Sequence, residues 1–224
     1  MMHGLRNHRI TMKWRGFAFA AAAIAASGAF AATSSAQGKR DFTAADVDFM
    51  QGMIIHHAQA VVMSNWAATH GARSDLLVLC KRIGLSQYDE IAVMQHWLEA
   101  RHEMAPDPLM MRTKHTGAVH DLSPMHMPGM NMGNPPMMMG GMLTPAEMRQ
   151  LDASHGVAFD RLYLLGMIKH HQGALDMVAD LFSKPGSGQQ PELFTLATDI
   201  DAGQRVEIAR MQAMLNSLPS SPAP

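Results

Sequence analysis

Apolar residues recur along most of this chain at three- and four-residue spacing, and no segment alternates as a half-buried strand would. From Asp46 to about His70, Phe49, Met50, Met53, Ala60, Ser64 and Ala67 share one broad helical face. The capping-box pattern Thr43-x-x-Asp46 opens that helix and Gly71 closes it. Ser74 is placed to cap a second helix, Asp75 to about Glu103, with Leu76, Leu79, Cys80, Ile83, Ile91, Met94 and Leu98 inward and Pro106 and Pro108 at its end. The short loop between the two predicts antiparallel neighbours. A third helical pattern opens at Thr144-Pro145-x-Glu147, bends or breaks near Gly156, continues from Val157 to about Phe182 and stops in Lys184-Pro185-Gly186-Ser187-Gly188. Pro191 opens the last helix, which runs to about Ser217.

The pattern occurs twice. Gly52-Met53-Ile54-Ile55-His56-His57 returns as Gly166-Met167-Ile168-Lys169-His170-His171, and the agreement extends to Ala60/Ala174 and Met63/Met177. In the partner helices Leu76, Leu79, Ile83, Gln87, Glu90, Ile91, Met94, Gln95 and Leu98 align with Leu193, Leu196, Ile200, Gln204, Glu207, Ile208, Met211, Gln212 and Leu215. The unit is therefore a helical hairpin, and two hairpins burying their apolar faces together predict an all-α four-helix bundle. The expected organisation is a first hairpin over 41–105, a linker over 106–143 and a second hairpin over 144–219, with both hairpins in one domain. The linker holds His115, His120, His126, several Pro and Gly residues, and eight methionines between positions 125 and 142. With almost no β-branched or aromatic residues it has little to bury, and a flexible crossover is expected.

Charge changes the picture at the amino terminus. Arg6, Arg9, Lys13 and Arg15 precede a short, Ala-rich apolar run from Gly16 to Ala32, with small-residue cleavage sites after Ala31 or Ala36. Residues 1–36 thus read as a secretory signal peptide rather than a membrane anchor, predicting an exported, periplasmic protein with no stable membrane insertion after cleavage. The signal holds 4 of the 18 Lys+Arg and none of the 19 Asp+Glu, so the mature chain carries 14 basic against 19 acidic side chains, a formal charge of −5. That balance argues against a nucleic-acid partner. The single cysteine, Cys80, allows no internal disulfide and lies on a core stripe.

Of 23 methionines, 20 follow the signal, so their position decides what they mean. At about 100° per residue, Met53, His56, His57, Ala60 and Met63 fall on one arc, as do Met167, His170, His171, Ala174 and Met177. Gln87, Glu90 and Met94, and likewise Gln204, Glu207 and Met211, sit inward on the partner helices. Imidazole with thioether selects Cu(I), so these residues predict a copper site in the bundle, with Glu90 and Glu207 as ligands or as acceptors for a histidine N–H. Met125, His126, Met127, Met130, Met132, Met137, Met138, Met139 and Met142 offer a second, capturing set of thioethers in the linker. The expected role is sequestration, transfer or resistance without chemical turnover, the partner being the metal ion and another exported copper-handling protein. Two alternatives remain open. Satisfied His–Glu pairs would make the bundle purely structural. A redox enzyme, cuprous oxidase or di-iron, is the other; Glu99-x-x-His102 is its one Glu-x-x-His motif, and the di-iron count fails.

Gly166-Met-Ile-Lys-His-His-Gln-Gly-Ala174, followed by Gln204-x-x-Glu207-Ile208-x-x-Met211, resembles the exported domain-of-unknown-function 305 family. The resemblance covers roughly Asp46–Glu103 and Phe159–Leu218 and implies a ferritin-like bundle. Some members are periplasmic copper-binding proteins of the CopM type, which implies copper binding by Met53, His56, His57 and Met63 and by Met167, His170, His171 and Met177. The first copy departs from the pattern, with Ala58-Gln59 where the second has Gln172-Gly173.

Overall fold

The computed structural model describes residues 41–108 and 139–219. The proposed signal peptide and the linker positions Met125, His126, Met127, Met130, Met132, Met137 and Met138 lie outside the described residues. Five helices follow one another: α1 (Ala44–Trp66), α2 (Ser74–Glu99), α3 (Pro145–Asp152), α4 (Val157–Ser183) and α5 (Pro191–Asn216). No strand occurs among the described residues, and the fold is the expected all-α bundle.

Local chemistry accounts for most of the helix ends. The predicted capping box forms, Thr43 and Asp46 exchanging hydrogen bonds at the start of α1, and the expected helix opening at Thr144 is a capping box too, closed with Glu147 at the start of α3. Ser74 is not the cap of α2. Arg73 occupies that position without a side-chain bond, and Asp75 Oδ1 accepts instead from the Leu76 N–H. The expected interruption near Gly156 is a full break, with Gly156 at φ 58° and its N–H donated to His70 O at 2.8 Å.

Helices α1 and α4 pack on each other at the centre, with α2 against α1 and α5 against α4. The core divides into two clusters at opposite ends. One joins the end of α1 (Ala60, Met63, Ala67) and the start of α2 (Leu76, Leu79, Cys80, Ile83) to the start of α4 (Phe159, Tyr163, Met167) and the end of α5 (Met211, Met214). The other joins Phe49, Met50, Met53 and Ile54 to Ile91, Met94 and Leu98, and to Ala174, Val178, Leu181, Leu193 and Ile200. These memberships make α1 antiparallel to both α2 and α4 and relate the hairpins by a pseudo-two-fold axis across the bundle.

The symmetry reaches a pair that sequence reading passed over. Asp46 Oδ2 accepts from Thr43 N and its Oδ1 from Gly188 N, both at 2.7 Å, tying the start of α1 to the α4–α5 loop. Asp160, 114 positions later, accepts from Arg73 N at 3.3 Å and ties the start of α4 to the α1–α2 loop. Each central helix thus fastens the other hairpin's turn. Replacing Asp46 by Ala removes a cap and leaves the Gly188 N–H without its acceptor. The expected loss is about 2 kcal/mol of unfolding free energy, read from the urea midpoint at unchanged slope.

Candidate metal centre

Between the two apolar clusters lies a polar layer. His56, His57, His170 and His171 are all fully buried. The arc that carries them faces α4 in one copy and α1 in the other, so the pseudo-two-fold brings the two motifs together. The His56 and His170 rings meet across it with centroids 3.8 Å apart, and each ring lies 6.3 Å from its own neighbour, His57 or His171.

Every one of these rings offers Nε2 to an oxygen. His57 Nε2 is 2.6 Å from Glu90 Oε2, and His171 Nε2 is 2.8 Å from Glu207 Oε2. His170 Nε2 donates to His56 O at 2.9 Å, and His56 Nε2 to Gly140 O at 3.2 Å. Carbonyl and carboxylate oxygens accept, so Nε2 carries the proton and Nδ1 the free lone pair in each ring. All four Nδ1 atoms are buried with no hydrogen-bond partner among the described residues. The Gln87 and Gln204 amides are orphaned in the same way.

Protonation does not relieve the lone pairs of His56 and His170. Burial, then the neighbouring His57 and His171 imidazoles, hold the His56 pKa at about 3, with the Gly140 carbonyl acting the other way. Burial, followed by His56, His171 and His57, pushes His170 well below the ordinary value. Both rings are neutral at neutral pH. Cys80 contributes no thiolate, because burial raises its thiol to about 12.

The methionines bracket the layer. Met63, Met167 and Met211 belong to one core cluster, while Met53 and Met94 belong to the other, with the partly buried Met177 packed on it. The pseudo-two-fold exchanges the triads. Glu90 and Glu207 reach the layer from outside, with side chains 24% and 13% exposed. Glu90 Oε1 also receives Ser86 Oγ at 3.2 Å, whereas Glu207 Oε1 faces Arg82 at 3.6 Å. Glu99 ends α2, and both it and His102 are exposed, so the Glu-x-x-His motif does not join the layer. Among the described residues no three His, Cys, Asp or Glu side chains converge as a metal-holding group. A metal bound here would need thioethers to complete its ligands.

The end of the linker differs from expectation. Met142 is buried and Met139 partly so, because residues 139–143 lie against α1 and α4 instead of standing free as exposed thioethers. The Gln59 side chain holds both the N–H and the carbonyl of Leu143, and Gly140 fits closely against Gly173.

The fold and site together define a class: helical bundles made of two repeated hairpins that enclose paired histidines. The family model described as "Domain of unknown function (DUF305)" matches residues 46–215, and the chain belongs to that family. Among solved structures, a DUF305 fragment from Deinococcus radiodurans is 26% identical with TM-score 0.60, covering 79% of this chain and 99% of its own. A putative secreted DUF305 protein from Streptomyces coelicolor is 23% identical with TM-score 0.61, covering 83% and 99%. CopM in its Cu(II)-bound form is 24% identical with TM-score 0.55, covering 76% and 95%, and CopM has also been solved with Cu(I) and with silver. No curated protein matches the chain. No described helix is long and apolar enough to cross a membrane.

The depressed histidine pKa values set a direction for acid stability. Below the unfolded pKa near 6.5, the unfolded chain takes up protons that native His56 and His170 refuse. Stability is therefore full above that value and falls as pH drops towards 3, by up to about 1.4 kcal/mol per pH unit for each ring. Urea midpoints of the metal-free protein from neutral to mildly acid pH check this. A His170→Gln variant is expected to show a shallower fall.

Proposed function

We propose that this protein binds Cu(I) as cargo in the histidine layer, and that its role is copper sequestration, transfer or resistance in the periplasm without chemical turnover. The observation that carries the reading is the set of four buried Nδ1 atoms without a hydrogen-bond partner among the described residues, lying between two methionine triads. Each orphaned group costs on the order of 1–3 kcal/mol unless something accepts it. A soft cation with affinity for imidazole and thioether would accept all of them. Glu90 and Glu207 serve on this reading as outer acceptors that orient His57 and His171 rather than as ligands. Met53, Met63, Met94, Met167, Met177 and Met211 supply the thioethers, and the linker methionines capture ions on their way in or out.

The likeness to CopM, solved with Cu(I), Cu(II) and silver, supports the same direction. The purely structural alternative draws on the two His–Glu bonds, which satisfy one nitrogen of His57 and of His171, but it gives the four Nδ1 atoms nothing to do. A di-iron reading lacks the carboxylates, since among the described residues Glu90 and Glu207 are the acids hydrogen-bonded to the layer's histidines.

Competition of the purified mature chain against a colorimetric Cu(I) chelator under reducing conditions tests the proposal. The wild type should hold Cu(I) against the chelator, and a variant with all four histidines replaced by Ala should not. Equal retention by the two proteins would remove copper from the account of this layer. Replacing Met63 and Met177 by Leu keeps the packing volume and should weaken retention of Cu(I) more than that of Zn(II), because zinc makes little use of thioethers.

A further inference from the structure

Residues 139–143 cross the histidine layer and treat the two halves differently. Gln59 grips Leu143 twice, its Nε2 donating to Leu143 O at 3.0 Å and its Oε1 accepting from Leu143 N at 2.7 Å. The repeat-related position is Gly173, where a Cβ would run into Gly140 O and Gly141 Cα. Gly141, at φ 81°, makes the turn that keeps the segment flat against both helices. The pair at which the second motif loses its side chain, Gln59 against Gly173, is thus the pair that seats this strap.

Seating has two results. Gly140 O comes to 3.2 Å from His56 Nε2, so the strap supplies the acceptor that fixes the His56 tautomer, whereas His170 takes its acceptor from α1 itself. The strap also fills the two notches left by the repeated glycines. Over Gly52 it places Met139, whose Sδ would lie 3.3 Å from a Cβ there, beside Met177 Cε at 3.4 Å. Over Gly166 it places Leu143, at 3.0 Å, beside Met63 Cε at 3.4 Å. One notch receives a thioether and the other an isobutyl group.

We infer that Gln59 is a positioning residue which, by latching the strap, holds His56 with Nδ1 free and adds the Met139 thioether to the side of the layer lined by Met53, Met94 and Met177. The two methionine triads thereby become chemically unequal, and a soft monovalent cation such as Cu(I) fills the Met139 side first. The metal part of this inference rests on the function proposed above. The tautomer part does not.

The test uses the metal-free mature chain labelled with ¹⁵N-histidine. In the wild type all four rings should show the shift pattern of an unprotonated Nδ1. Gln59→Leu keeps the bulk and removes both bonds to Leu143, so the His56 pattern alone should move towards a mixture of tautomers. Gly173→Ala displaces the strap from the α4 side and should move the same ring. Helical content by far-UV circular dichroism identifies a variant that fails to fold, and the other then decides. An unchanged His56 pattern in a folded variant of either kind overturns the latch. In Cu(I) titration, Gln59→Leu should weaken the first binding step by about tenfold to a hundredfold, the range for groups that orient metal ligands. Met139→Leu should weaken that step while leaving the His56 pattern as in the wild type, and two equal steps in the wild type would overturn the inequality. A wild type that takes no Cu(I) would overturn the proposed function and the role of Met139, while a moved His56 pattern would still uphold the latch.

Discussion

The structure depends on one constraint: four imidazoles are packed with their Nδ1 atoms buried and without a hydrogen-bond partner among the described residues. A bundle this size would be more stable with Leu at those positions, since each unmet polar atom opposes folding. The surroundings are arranged so that the unmet atom is the same in every ring. Two carboxylates and two backbone carbonyls take up Nε2, and burial keeps His56 and His170 from protonating on Nδ1 at neutral pH. The two apolar clusters then supply the stability that the layer lacks, one on each side. Asp46 and Asp160 hold the hairpin turns and so keep the central helices in the register that brings His56 onto His170.

Internal symmetry lets a short chain build this arrangement from one pattern written twice. Because the axis lies across α1 and α4, a histidine pair on one helix meets its own copy, and three methionines on each side come from both hairpins. Symmetry also sets a limit: two identical halves would make identical sites. Departures that bear on the layer include Gln59 against Gly173, Ser86 against Gly203, and Arg82 beside Glu207. Each of these changes what touches the layer from outside without altering a residue within it.

Much of this was legible before any coordinates. The period of apolar residues located the helices, and the duplicated Gly-Met-Ile-x-His-His placed the paired histidines inside, because a repeated polar residue on a core face has few other meanings. What the pattern did not contain was contact between distant segments. Asp160 went unread although it stands 114 positions after Asp46, in register with the histidines; that offset was the available signal. Met139 and Met142 were placed among the capturing thioethers of a flexible crossover because a Met-, Pro- and Gly-rich stretch carries no periodicity, yet Gly140 and Gly141 let their stretch lie close against α4. The Ser74 cap failed for a smaller reason: Arg73 and Asp75 pair with each other at 2.6 Å and occupy the same turn.

The charge of the layer bears on which ion it suits. Neutral imidazoles and thioethers bring no negative charge, and Glu90 and Glu207 touch only the Nε2 side, where they are partly solvated. A divalent ion among such ligands would carry nearly its whole charge into a dry interior, at a desolvation cost that rises steeply with charge. A monovalent soft ion carries half that charge and forms its strongest bonds with the donors present. Arg82 adds to the bias on one side, since its guanidinium draws on the same Glu207 carboxylate that faces His171. Among the described residues the half gripped by Gln59 has no cation placed in that way; Glu90 there accepts from the Ser86 hydroxyl and His57. If the layer holds copper, the electrostatics and the donor set both favour the reduced ion, and Arg82 makes the half built on Glu207 the less hospitable to added positive charge.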